Sequence, residues 1–374
     1  MNSPASSEIY VGLMSGTSLD GLDIAILDFS KFPPRLLYAD TVPYSDPMRE
    51  RLRELCQSTT IDLENLYGLD ASLGEMYAGV VNQALGAAAI DPATVTALGC
   101  HGQTIRHSPD ATVPYTVQIA DPNRIAALTG ITTVADFRRK DIALGGQGAP
   151  LAPAFHRFLF RSDQENRVLI NIGGIANITY LPADPAQPVL GFDTGPGNTL
   201  LDYWNGIHRD SSYDDSGTWA SSGQVIGRPL EAMMAAEIYF SLDPPKSTGT
   251  GYFSSNWLAK FLDGTEDAAD VQATLVELTA LTIANALSRL PQPLTSLFVC
   301  GGGAHNRYLL ERLAANIPDG TLATTETLGL HPDFVEAAAF AWLARERINL
   351  QVGNIPDVTH ARRAAVLGGV YVAL

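Results

Sequence analysis

The sequence predicts an α/β protein of two similar lobes. Three features predict it: a strand, glycine turn, return strand and third strand open the chain, the same order recurs past residue 167, and long helical patterns follow each set. In the first half, Ile9 to Met14 is an apolar run ending in Ser15-Gly16-Thr17-Ser18, Leu22 to Phe29 is its return, and Leu36 to Val42 lies beside them. Apolar residues at three-and-four spacing predict helices over Pro47 to Gln57 and Leu63 to Ala89. A strand, Val95 to Cys100, then delivers His101-Gly102-Gln103-Thr104. In the second half, Val168 to Ile172 ends in Gly173-Gly174, Ile175 to Leu181 returns, Val189 to Phe192 is third, and a long helix spans Val271 to Leu290. The halves share this order without obvious sequence identity. A duplicated lobe is therefore expected, with the cleft between lobes as the default ligand site. The boundary is placed at the glycine- and proline-bearing stretch Asp136 to Pro153. Residues 1–135 then form the first lobe and 136–357 the second, with 358–374 packing back on the first.

The 374 residues suffice for two domains of ordinary size. With 46% hydrophobic and 17% charged residues, the chain has the composition of a packed globular protein. A formal net charge of −16 opposes a nucleic-acid or anionic-membrane partner, so neither is expected. A protein so acidic must bind phosphate through local dipoles and metal, which turns attention to glycine loops and helix N-termini. Cys56, Cys100 and Cys300 are odd in number and far apart, which implies no disulfide framework and suits a reducing compartment. The short polar N-terminus has no apolar run, and no stretch approaches the roughly 18 apolar residues of a membrane span. A cytoplasmic protein is expected.

The run from Gly12 to Gly21 carries glycine and hydroxyl residues, but it lacks the lysine of a P-loop and leads into a strand where a helix should stand. It is neither a Walker motif nor a dinucleotide fingerprint. Its backbone N–H groups and the side chains of Ser15, Thr17 and Ser18, with Gly16, Leu19, Asp20, Gly21 and Leu22 around them, could cup a phosphate as an anion-binding nest does. Alone, it reads equally well as a hairpin turn, since turns favour Gly, Ser and Asp. The second hairpin, with Gly173 and Gly174, and a third cluster, Gly301-Gly302-Gly303, which opens a helix at Asn306, shift the balance. Together the three are expected to bind a nucleotide, its phosphates at the hairpins and its adenosine at the third cluster.

GLMSGTSLDGLD (Gly12 to Asp23), CHGQT (Cys100 to Thr104), DFRRKDIALGGQGAPLAP (Asp136 to Pro153), NIGGIANIT (Asn171 to Thr179), FDTGPGN (Phe192 to Asn198), CGGGAHN and EAAAFAWLA (Glu336 to Ala344) follow in order along nearly the whole chain. In these motifs the chain resembles the anhydro-N-acetylmuramic acid kinases. The resemblance implies a two-lobed actin-like (ribonuclease H-like) ATPase fold, with duplicated mixed-sheet lobes and an interlobe cleft. It also implies ATP with Mg2+, a homodimer, and a place in peptidoglycan recycling. The substrate it implies is 1,6-anhydro-N-acetylmuramic acid, whose anhydro bridge opens with water while O6 takes the γ-phosphoryl to give N-acetylmuramic acid 6-phosphate. There are departures. Met14 stands where actin-like kinases in general carry an aspartate that helps hold magnesium, which leaves Asp20, Asp23 and Asp193 as candidates for water-mediated contact, none assigned. Thr250 and Gly251 replace a usual arginine and acidic residue, and Thr359-His360-Ala361 replaces a common Thr-Gly-Ala.

Ring opening needs a base to activate water, and phosphoryl transfer needs O6 held in line with the γ-phosphate. Asp193 is read as the base; it matches the family's catalytic aspartate. The competing reading is a cap for the helix starting near Asn198. Glu336 is the second carboxylate, either orienting the water or closing a capping box with Asp333. Gln103, Arg138 and Asn198 are expected to hold the sugar and its lactyl carboxylate, for which a planar guanidinium is suited. Alternatively, Arg138, Arg139 and Lys140 are a solvated charge run. His101 beside Cys100 reads as a buried hydrogen-bonding histidine, because no second Cys or His stands at ligand spacing. Two rival functions remain: an ordinary hydroxyl sugar kinase on the same fold, and a nucleotide-regulated binding protein. The second is disfavoured by the charge and by the lack of a basic patch or helix-turn-helix-like segment.

Overall fold

The opening apolar runs form β1 (Ile9–Ser15), β2 (Gly21–Asp28) and β3 (Arg35–Pro43), an antiparallel meander, in a computed structural model that describes residues 8–373 except 245, 250, 292, 318 and 319. β4 (Val95–Ser108) lies parallel to β1. It does not stop at Cys100: the strand carries His101 to Thr104 within it, and its far half pairs antiparallel with β5 (Tyr115–Ile119). β6 (Thr133–Ala135) runs parallel to β4, and the short strand Gly369–Tyr371 closes that edge. The second half repeats the pattern. β7 (Arg167–Ile172), β8 (Ile175–Leu181) and β9 (Leu190–Pro196) form an antiparallel meander, β10 (Ser296–Cys300) is parallel to β7, and β11 (Thr321–Thr324) is parallel to β10.

The strand orders β3-β2-β1-β4-β6 and β9-β8-β7-β10-β11 are the same order, third-second-first-fourth-fifth. This is the duplicated mixed-sheet lobe of the actin-like, ribonuclease H-like ATPases, the fold class expected. The chain divides into two compact units, residues 1–159 with 334–374, and residues 160–333. Residues 136–159 and 334–357 therefore pack with the first unit, not the second. The reason is local: the Asp136 to Pro153 stretch is hydrogen-bonded to the C-terminal segment, with Gln147 N donating to Thr359 O and Arg362 N to Leu144 O.

In the first unit, the inner faces of β1 and β2 (Val11, Leu13, Leu22, Ile24) pack on Leu69, Leu73 and Tyr77 of the Leu63–Ala87 helix. In the second, the Ala268–Ser288 helix lies at the centre of the core. By length and composition this helix could cross a bilayer, so the sequence does hold one stretch of that kind; its window is 78% buried within the fold, as a core helix is.

Helix Val335–Ile348 docks on the first sheet at backbone distance. Gly12 and Gly99 are register partners on β1 and β4. A Cβ on Gly12 would stand 1.9 Å from Ala337 O, and one on Gly99 2.0 Å from Phe340 O. The alanines of the EAAAFAWLA run and these two glycines are thus halves of one contact, since only residues lacking bulk allow such an approach. Gly12, first residue of the supposed phosphate run, is a packing glycine. Gly99→Val is expected to lower the free energy of unfolding by about 2–3 kcal/mol through overpacking. Gly68→Ala, where a methyl group meets nothing within 4 Å, should be neutral or slightly stabilising. Urea unfolding of both variants checks the pair.

Candidate functional site

In the first unit, the β1–β2 hairpin presents only part of its predicted set. Thr17, Ser18 and Asp20 are exposed and Gly16 is half-buried, with nothing but Ser18 Oγ (3.7 Å) near the place a Cβ would take. Leu19 and Leu22 are in the core, and Gly21 is pressed on β3, where a Cβ would stand 2.5 Å from Val42 O. The side chains of Leu19 and Leu22 serve the core, and Gly21 is required by its approach to β3. Ser15 is 1% exposed; its Oγ donates to Gly21 O (2.9 Å) and lies 2.6 Å from Gln103 Oε1. Tyr44 Oη donates to Ser15 Oγ (2.8 Å) and lies 2.6 Å from Tyr77 Oη. Gln103 is fully buried, and its Nε2 donates to Gly16 O (3.1 Å) and Thr104 O (3.3 Å). With both ends of its amide committed, Gln103 ties the hairpin to β4; the sugar contact expected of it is not available. Arg49 braces the same turn, Nε donating to Leu19 O at 3.2 Å. Nothing in the local sequence marked Tyr44, Tyr77 or Arg49, because their partners lie on other elements.

Beside this network stands a charged group. Arg138 is not part of a solvated run: Nε donates to His101 Nε2 (2.9 Å) and Nη1 to Gly148 O (2.8 Å). Nη2 carries no hydrogen bond among the described residues. His101 is the buried hydrogen-bonding histidine expected; because Nε2 accepts, Nδ1 holds the proton. Burial and the Arg138 charge hold it well below the usual imidazole range, so it is neutral. Burial brings the Arg138 guanidinium down to about 10, while Glu336 and Asp141 favour its charged form. Glu336 sits in the first turn of its helix, whose N-cap position Phe334 makes no side-chain cap bond, so there is no capping box. Asp333 is engaged elsewhere, with His305 (2.7 Å). Burial, then the Asp23 charge, raises the Glu336 carboxyl above its ordinary range, and Arg138 opposes the shift.

In the second unit, the space before Gly173 is open, with Ile175 O nearest at 3.7 Å. The hairpin is tied from behind: Gly197 N and Thr199 N donate to Gly174 O, and Asn198 N donates to Gly173 O at 2.8 Å. Asn198 Nδ2 donates to Ile172 O (3.2 Å), so this side chain also anchors the hairpin. In the third cluster, a Cβ on Gly301 would meet Asn171 Oδ1 at 2.4 Å and one on Gly303 would meet Ile172 at 2.4 Å. Those two glycines are required by packing on the end of β7, whereas a Cβ on Gly302 would meet only Asn198 Nδ2, at 3.7 Å. Asn306 opens its helix as expected, Oδ1 accepting from Leu309 N (3.0 Å). That cap commits its Oδ1 to the helix.

Asp193 lies within β9, not at its end. It pairs with Asn177 next to a bulge at Thr194, and bulges re-aim side chains. It does not cap the Thr199–His208 helix, whose N-cap is Asn198. Thr248 N donates to its Oδ2 (2.8 Å), Lys246 stands close enough to act on its charge, and Tyr239 Oη donates to its carbonyl (2.9 Å). Burial outweighs the Thr248 bond and Lys246 and brings its pKa up to about 6. Lys246 Nζ donates to Tyr239 O (3.0 Å) and lies 4.7 Å above the Tyr239 ring. The glycine-rich Lys246 to Gly251 run was the one sequence signal for this support. Thr250, which stands in place of a usual charged residue, lies outside the described residues.

A family model described as anhydro-N-acetylmuramic acid kinase matches residues 8–373. The protein of that name from Pasteurella multocida (strain Pm70) is 50% identical over 365 residues, covering 97% of this chain and 96% of that protein. Its counterpart from Coxiella burnetii (strain RSA 493 / Nine Mile phase I) is 49% identical, covering 97% of each. That from Saccharophagus degradans is 47% identical over 369 residues, covering 97% and 98%.

The Asp193 carboxyl is expected to titrate with a midpoint near 6, charged above and neutral below. Carbon-13 NMR on labelled aspartate, assigned with Asp193→Asn, checks this; a midpoint at or below about 4, the ordinary value, would contradict the burial described.

Proposed function

The chain belongs to the anhydro-N-acetylmuramic acid kinase family, and from that premise we propose that it opens the 1,6-anhydro bridge of 1,6-anhydro-N-acetylmuramic acid with water and phosphorylates the freed O6 from ATP. Water attacks C1, the C1–O6 bond breaks with its electron pair on O6, and Asp193 accepts the water proton. O6 takes the γ-phosphoryl, and ADP departs with N-acetylmuramic acid 6-phosphate as the second product. The observation that carries the reading is the Asp193 carboxyl, half-buried, aligned by Thr248 N and raised to about 6. Such a base is ionised at neutral pH yet close enough to it to draw a proton efficiently.

In the first unit, Arg138 is assigned to the lactyl carboxylate and Glu336 to the orientation of water. Support comes from the partial burial of both groups and from the Arg138 Nη2 left over after His101 and Gly148 are served. Gln103 and Asn198 act indirectly, by fixing the hairpins at Gly16 and Gly173. Kinase chemistry draws on magnesium to neutralise charge developing on the phosphates. Among the described residues no three His, Cys, Asp or Glu side chains gather as a metal cage. Asp23, close enough to act on Glu336, suits a cation that keeps its waters and takes one or two carboxylates. A cytoplasmic homodimer completes the proposal; three thiols without a disulfide, Cys56, Cys100 and Cys300, fit a reducing compartment.

Asp193→Asn should reduce turnover by about 10²–10⁴-fold, the range for loss of a general base, with ATP binding nearly unchanged. Retention of half the activity would exclude Asp193 as base. Gly16→Val and Gly173→Val place a branched side chain in open space, so both should fold and both should weaken ATP binding much more than sugar binding. Calorimetric titration measures this, and unchanged nucleotide affinity would return the hairpins to plain turns.

A further inference from the structure

We propose that Asp141 is the positioning residue for Arg138, held by the C-terminal segment; the inference rests on the contact between Arg138 and the sugar acid proposed above. Asp141 is 0% exposed. Its Oδ1 accepts from Asn354 Nδ2 (2.6 Å) and Thr359 Oγ1 (2.7 Å), and its Oδ2 accepts from Gly148 N (2.8 Å). Gly148 O in turn accepts from Arg138 Nη1 (2.8 Å). One peptide unit away from the carboxylate, then, is the group that sets the guanidinium's tilt, and His101 Nε2 fixes its other edge. The loop has no slack. A Cβ on Gly146 would stand 2.2 Å from Asp141 Oδ2, and Gly148 has φ +69°, in the left-handed region. The segment behind Asp141 is fastened too, Ala365 N donating to Asn354 Oδ1 at 2.7 Å.

All three hydrogen bonds on the Asp141 carboxyl come from neutral donors, Asn354, Thr359 and the Gly148 backbone. Asp141 is also one of the two acidic groups that favour the charged form of Arg138. Both effects of Asp141, geometric and electrostatic, arrive at the same guanidinium.

Steady-state kinetics of the full chain with ATP and the anhydro sugar tests the proposal. In Asp141→Asn an amide N–H would confront Gly148 N–H, or the Thr359 and Asn354 donors would lose their acceptor. KM for the sugar should rise about tenfold or more, the size of one buried hydrogen bond left unmade. At the same time kcat should stay within about threefold and nucleotide affinity should hold, because only sugar binding is touched. Thr359→Val should raise the same KM and Thr359→Ser should restore it, a pair that serves even where Asp141→Asn folds poorly. In an Arg138→Ala background, Asp141→Asn should add nothing. A fall in kcat at constant KM, the sign of lost folded protein, would overturn the proposal, as would additive effects in the double variant. Turnover of the sugar by the unsubstituted chain tests the reaction itself, so unchanged KM with turnover intact sinks only the role of Asp141.

Discussion

The depth at which the Val335–Ile348 helix sinks onto Gly12 and Gly99 sets the first unit's chemistry. Any side chain at either glycine would meet helix backbone at about bonding distance. That depth places the Phe340 ring 4.7 Å from the His101 ring, and His101 Nε2 is the acceptor that fixes Arg138 Nε. It also lowers Glu336, in the helix's first turn, into surroundings dry enough to raise its carboxyl. Helix, histidine, arginine and glutamate thus form one mechanical unit whose geometry follows from two absent side chains. A buried charge in such a setting is strongly coupled to its neighbours, because little water remains to screen it.

The second unit uses a different device. Gly301 and Gly303 let the β10 turn close over Asn171 and Ile172, and the start of the Thr199–His208 helix is hydrogen-bonded to the back of the Gly173–Gly174 turn. The hairpin is therefore rigid on its protein side and open on the other. Desolvation raises the Asp193 pKa, and one backbone N–H and one lysine moderate the rise. Desolvation is a robust way to tune a base, since it survives small shifts in any single partner.

Much of this was legible in the residues. The strand–glycine–strand repeat located both hairpins, because short apolar runs joined by a glycine turn have few alternatives. The strand Ile175–Leu181 was read to the residue. Asp193 stood out by its match to the family's catalytic aspartate and Glu336 as a second carboxylate, and the caps that might have explained them away are absent. What was not legible was contact made across the sheet. In one dimension Gly301 and Gly303 look like loop glycines and Gly12 and Gly99 like gaps in apolar strands, and only the position of Ala337, Phe340 and Ile172 reveals them as packing surfaces. Gln103 looked like a sugar ligand until Ser15 and Gly16 took its amide, and β4 ran eight residues past the predicted end because β5, unseen in the sequence, pairs with it. The lobe boundary was set too early for the same reason: residues 354–362 bind 141–148 across more than 200 residues of chain.

The central claim, that water opens an anhydro bridge before O6 is phosphorylated, is tested most directly by running the reaction in water enriched in oxygen-18 and taking mass spectra of the products. Purified sugar phosphate incubated in the same water measures background exchange at C1. The account predicts one solvent oxygen at C1 per ADP released, above that background, and none in the transferred phosphoryl group. A phosphorylated product that keeps its 1,6-anhydro bridge and carries no solvent oxygen would contradict it.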